Sequence, residues 1–141
     1  MDVISFPLWR VYCFLEDDNQ NTIRRWMERE DIPEWKGAVL RERIRLLEAG
    51  GPDCSPGLIV PVDSMFYILN VKVRKGELPM TPVFCYGPFF DQEITILTGA
   101  PIENGILKAK DVLPIARRNL ETLMDNSARR IRERIDRRSA Y

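Results

Sequence analysis

Residues 65–110 read MFYILNVKVRKGELPMTPVFCYGPFFDQEITILTGAPIENGILKAK. Phe66–Val73, Val83–Tyr86 and Ile94–Ala100 are dense in β-branched and aromatic residues and predict three strands. The turn Arg74-Lys75-Gly76-Glu77 and the loop Gly87–Gln92 separate them. Strands joined this closely are expected to pair antiparallel, because a parallel pair needs a crossover of a dozen or more residues. Pro101–Lys110 reads as a loop, and the Pro- and Gly-punctuated stretch Asp53–Asp63 leaves room for a short strand at Leu58–Val62.

Upstream lie two helical patterns. Asn21 or Thr22 can cap a helix running to about Glu30, with Ile23, Trp26 and Met27 on one face. A second starts around Pro33 and spaces Val39, Leu40, Ile44 and Leu47 three and four apart until Gly50-Gly51-Pro52 stops it. The pair predicts a helical hairpin covering one face of a sheet. Val3–Phe14 has strand composition, and Pro7 suits an edge or terminal strand better than a central one.

Downstream, Asp111 is placed to cap a helix with Val112, Ile115, Ala116, Leu120, Leu123 and Met124 as its apolar stripe. Only Pro114 could break it before Arg138, and Pro114 falls in the first turn. The helix is therefore expected to run past Asp125, its thin continuation Ala128, Ile131 and Ile135 meeting another chain. The fold class expected is α+β: a small curved antiparallel sheet, an N-terminal helical hairpin and a long C-terminal helix. Residues 1–125 would form the domain and residues 126–141 a basic helical extension that supports a homo-oligomer.

Composition narrows the chemistry. The 141 residues suit one domain, and a hydrophobic fraction of 45% is that of a globular chain. No apolar run reaches the roughly 20 residues of a membrane span. The opening MDVISFPLWRVYCFLEDD lacks the form of a signal peptide, so a cytoplasmic protein with no membrane association is expected. There is no histidine, which removes Ser-His and Cys-His nucleophile systems and histidine metal sites. Cys13, Cys54 and Cys85 form no C-x-x-C pair and read as buried or neutral thiols. With no metal-ligand spacing and no phosphate loop, neither a metal nor a cofactor is expected. A formal net charge of zero argues against a surface wholly devoted to nucleic acid.

The stretches Met65–Val71, Val83-Phe84-Cys85-Tyr86-Gly87-Pro88, Glu93–Ala100, Ile102-Glu103-Asn104-Gly105 and Lys110–Arg118 stand in an order that resembles the phage-derived, toxin-like branch of the RelE/HigB superfamily. That resemblance covers Met65–Arg118 in wording and Ile23–Met124 in element order. It implies a toxin-like protein of a toxin–antitoxin or phage-derived system, with a small antitoxin as partner and mRNA, on or off the ribosome, as target. Members cleave mRNA by surrounding the scissile phosphate with basic and aromatic side chains. Fixed cations stabilise the charge built by 2′-hydroxyl attack without histidine or metal.

Three positions depart from the family pattern. The turn Leu78–Pro82 carries no basic residue, Asn104 stands where lysine is expected, and Ile68-Leu69-Asn70 replaces a charged strand. The resemblance leaves Arg74, Tyr86, Lys108 and Lys110 as candidate catalytic residues of a degenerate, metal-independent endoribonuclease. Lys72, Lys75, Arg117 and Arg118 are candidate RNA contacts. Beside this stands the plain reading that lysines in exposed turns keep a protein soluble. The acids interleaved with the arginines of the last segment likewise suit a solvated helix end. The alternative function is a non-catalytic protein that binds a protein partner or assembles with itself.

Overall fold

The computed structural model describes residues 9–29, 33–53, 56–73, 76–108 and 110–132. Its centre is a hairpin of the two longest strands, β6 (Met80–Tyr86) and β7 (Glu93–Glu103). Their register runs from Met80↔Pro101 to Tyr86↔Ile94, shifted by a bulge between Val83 and Phe84. Both strands are buried over most of their length, as their dense β-branched and aromatic composition requires.

Around them lie β1 (Arg10–Phe14), β2 (Ile59–Pro61), β3 (Tyr67–Leu69), β4 (Lys72–Val73), β5 (Gly76–Glu77), β8 (Ile106–Leu107) and β9 (Arg130–Arg132). The main sheet is seven-stranded in the order β2-β3-β6-β7-β1-β9, with β8 added to the far end of β7. β4 and β5 form a separate two-stranded ribbon. The helices are α1 (Thr22–Arg29), α2 (Glu34–Gly50) and α3 (Val112–Asp125).

The all-antiparallel sheet is overturned. β3–β6 and β6–β7 are antiparallel, as their short connections require, but β1 pairs with β7 in parallel from Arg10↔Glu93 to Cys13↔Ile96. Everything from α1 to β6 lies between those two strands in sequence, ample for a crossover. The turn-length argument governs neighbours in sequence and does not reach this pair. Nor is β1 an edge strand, for it sits between β7 and β9. Pro7, whose ring argued for an edge, lies outside the described residues.

The long C-terminal helix is also overturned. Asn126 accepts a hydrogen bond from the Ala128 amide at 3.1 Å through its side chain and from the Arg129 amide at 3.0 Å through its carbonyl. Such local Asn turns compete with helix continuation. The chain reverses into β9, antiparallel to β1 from Phe14↔Arg130 to Tyr12↔Arg132. The helical extension over residues 126–132 falls with this turn. Ile135 and the rest of residues 133–141 lie outside the described residues.

The helix faces agree better with the sequence. Leu40, Ile44 and Leu47 are buried and Val39 partly so, while Ile23 and Trp26 of α1 reach the core. α1 packs on β7 and α2 on β1. Asn21 caps α1, accepting from the amides of Ile23 at 3.0 Å and Arg24 at 3.2 Å. Asp111 stands at the N-cap of α3 but makes no side-chain capping bond. Gly51 ends α2 at φ +57° directly against Trp9, where any side chain would collide with the indole. Among the described residues no helix is long and apolar enough to cross a membrane.

Pro82 has no N–H to give to β3, and the chain compensates locally. The Thr81 hydroxyl accepts from the Leu69 amide at 2.9 Å and lies 3.2 Å from the Leu69 carbonyl. Thr81→Val keeps the shape but leaves buried Leu69 groups unpaired, an expected loss of about 1–3 kcal/mol in denaturant unfolding. Gly99 faces Trp26, whose Cγ would stand 2.9 Å from an added Cβ. Gly99→Ala is expected to overpack the site and to cost about 1–3 kcal/mol in the same assay.

Candidate functional site

Tyr86 ends β6, half-buried in an aromatic group. Its ring lies 4.7 Å from Tyr67, 5.9 Å from Trp9 and 6.2 Å from Phe84 between centroids. Lys108 follows β8 at the opposite end of the hairpin, its amide bonded to the Pro101 carbonyl and its Nζ 3.5 Å from Glu103. Tyr86 pairs with Ile94, whereas Pro101 pairs with Met80, so the length of β6, about 20 Å, separates them. Lys110 is exposed just before α3, closer in chain to Lys108 than to Tyr86. Arg74 lies outside the described residues. The described members of the candidate catalytic set thus fall at two ends of one hairpin.

The candidate RNA contacts divide in the same way. Lys72 is exposed on β4 opposite Glu77. Glu77 accepts from the amides of Asn104 and Gly105, which holds the β7–β8 turn beside this ribbon. Arg43 of α2 donates to the carbonyls of Asn70 and Lys72 and fixes the ribbon from below. Lys75 lies outside the described residues. Arg117 and Arg118 are exposed on α3.

Arg118 lines a cleft of about 730 Å³, together with Glu16, Asp17, Asp18, Arg25 and Arg129. Most of that charge is internally paired. Arg25 meets Asp18 and lies 3.6 Å from Glu16, while Arg129 bonds Asp17 at 3.0 Å. Cations already engaged this way have little left for a phosphate. No group of three or more acidic, cysteine or histidine side chains suited to a metal ion occurs among the described residues. Cys13 and Cys85 are buried, and burial pushes the Cys85 thiol up to about 12, so it is no nucleophile near neutral pH.

The best-organised polar group is one that sequence reasoning missed. Glu93, 1% exposed, receives both arms of Arg130, 9% exposed, at 2.9 and 3.0 Å. Arg130 also donates to Thr95 Oγ1 at 3.2 Å and lies over the rings of Tyr12 at 3.7 Å and Phe89 at 4.8 Å. Arg10 Nη2 approaches Glu93 at 3.9 Å. The available signal was Glu93 itself, a lone acid at the head of an apolar strand. Arg130 carried no signal, being one arginine among many in a segment read as helix.

Beside this pair opens a second cleft of about 520 Å³, lined by Trp9, Tyr86, Phe89, Phe90, Asp91 and Glu93 among others. Glu93 shapes its rim, accepting from the Phe90 amide at 3.2 Å through its carboxylate and from the Gly87 amide at 2.8 Å through its carbonyl. Phe90 is 69% exposed there.

No family model matches the chain, and no curated protein matches it.

Burial opposes the charge on Glu93, but hydrogen bonds from Arg130 and from the Phe90 and Phe89 amides outweigh it and hold the carboxyl below its ordinary value of 4.5. A depressed folded pKa gives stability that is present above the unfolded value and is lost as pH falls through the folded one. Unfolding free energy is therefore expected to drop on acidification below about 4.5, the ordinary value of this carboxyl. Glu93→Gln should remove this part of the acid slope. At neutral pH it should cost about 3–5 kcal/mol, because Arg130 is left buried without its counter-charge. Denaturant unfolding measured across the pH range checks both.

Proposed function

We propose that this chain is a toxin-like protein of a toxin–antitoxin or phage-derived system, working in the cytoplasm by docking on a protein partner and not by cutting RNA. The observation that carries this reading is the separation of Tyr86 from Lys108 across the hairpin. In-line cleavage without a metal needs several donors on one phosphate, preorganised within hydrogen-bonding reach. Groups about 20 Å apart cannot supply them together. The family wording supports the toxin-like assignment, and the neutral residues Asn104 and Leu78–Pro82 agree with a lost activity. A small antitoxin is the partner that the resemblance implies.

RNA binding retains one observation in its favour. Lys72 belongs to the ribbon beside the β7–β8 turn, which Lys108 follows, and both lysines are solvent-facing. A backbone-tracking contact there would be salt-dependent and would need no catalytic geometry.

The experiment incubates purified protein with structured mRNA, with and without translating ribosomes and in the presence of chelator. Cleavage is expected to be absent, or at least a hundredfold slower than by a preorganised site. Induced expression alone is expected to leave growth nearly unchanged. Co-expression with the product of an adjoining small gene is expected to give a stoichiometric complex. Rapid cleavage that Lys108→Ala abolishes would overturn this reading.

A further inference from the structure

We infer that the cleft between Trp9, Tyr86, Phe89, Phe90 and Asp91 receives an arginine side chain from a basic segment of the partner, an inference that rests on the protein-docking function proposed above. Four of its described lining residues are aromatic, and the charged ones among them, Asp91 and Glu93, are both acidic. Glu93 is neutralised by Arg130, whereas the Asp91 carboxylate has no ion-pair partner among the described residues. Arg10 approaches from the sheet side but spends a donor on the Asp91 carbonyl at 3.2 Å, leaving the carboxylate.

Aromatic rings flanked by a carboxylate attract cations through the negative ring face and the full charge together. Guanidinium suits such a site better than ammonium because it is planar, weakly hydrated and stacks. The chain itself uses this chemistry close by, with Arg130 over Tyr12 and Phe89 and Arg129 over Phe14 at 5.0 Å. A nucleobase could also stack here, but its phosphates would have to approach the Asp91 carboxylate; no cation is among the described lining residues, and Arg10 beside them is engaged with the Asp91 carbonyl. Charge therefore selects the basic peptide.

The full chain would be titrated with a short flexible peptide carrying one arginine and with the same peptide carrying citrulline, which has the same shape and no charge. A single-stranded RNA oligonucleotide is the third probe. Backbone amide shifts report where each binds. The arginine peptide should move the signals of Phe89–Glu93 in a saturable way, and citrulline should bind at least threefold more weakly. Phe90→Ala and Asp91→Asn, both at exposed positions, should each weaken arginine binding by roughly threefold to thirtyfold while distant signals stay in place. Equal binding of the two peptides would overturn the inference. So would silence at Phe89–Glu93, or RNA binding there in preference to arginine. RNA cleavage by the native chain would instead strike the proposed function, and it is read in a separate assay.

Discussion

One carboxylate and one guanidinium hold the far side of the sheet together. Glu93 opens β7, Arg130 opens β9, and β1 runs between those two strands. The pair spans β1 and uses its Tyr12 ring as a platform. The same carboxylate accepts from the Phe90 amide, so the aromatic rim is positioned by the interaction that locks β9. Burying such a pair offers little net stability, because desolvation offsets much of the attraction. Its value is geometric. A guanidinium that is bidentate to one carboxylate has few alternative seats, and that suits it to fix a short edge strand in register.

The proposed docking role draws on this arrangement. Cations that could serve catalysis are dispersed or already engaged, as Arg25 and Arg129 are in the large cleft. Aromatic surface, by contrast, is concentrated at one end of the β6–β7 hairpin and held on a frame of backbone and carboxylate bonds. Rigid aromatic anchors lose little conformational freedom on binding, which favours a docking surface over a site that must reorganise.

The helices were legible in the sequence because periodicity reports a face directly, and Leu40, Ile44 and Leu47 lie buried where their spacing placed them. The β6–β7 hairpin was legible because a short loop leaves little choice of partner. The parallel β1–β7 pair was not, since nothing local in Arg10–Phe14 names a strand some eighty residues away. β9 was hidden by propensity. Arginine-rich sequence is a good helix former, and the Asn126 turn that ends α3 is weak beside it. Of the candidate site, Tyr86 was named from the sequence, as a catalytic residue. Glu93 and Arg130 were missed, because the burial that makes them matter depends on strands that meet only in three dimensions.

The position of β1 has a consequence for the order of assembly. It is the first strand described in the chain, yet its partners are Glu93–Ile96 on one side and Arg130–Arg132 on the other. A ribosome synthesising this protein must hold an apolar, aromatic strand unpaired while most of the domain is made. Local elements such as α2 and the β6–β7 hairpin can form as they emerge, but β1 can join only after β7 has been made, and β9 closes the sheet last. Long-range closure of this kind slows folding and prolongs exposure of unpaired strand edges. A ribosome that stalls before Arg130 would leave β1 with an open edge and Glu93 without its cation, a nascent chain vulnerable to proteolysis and self-association.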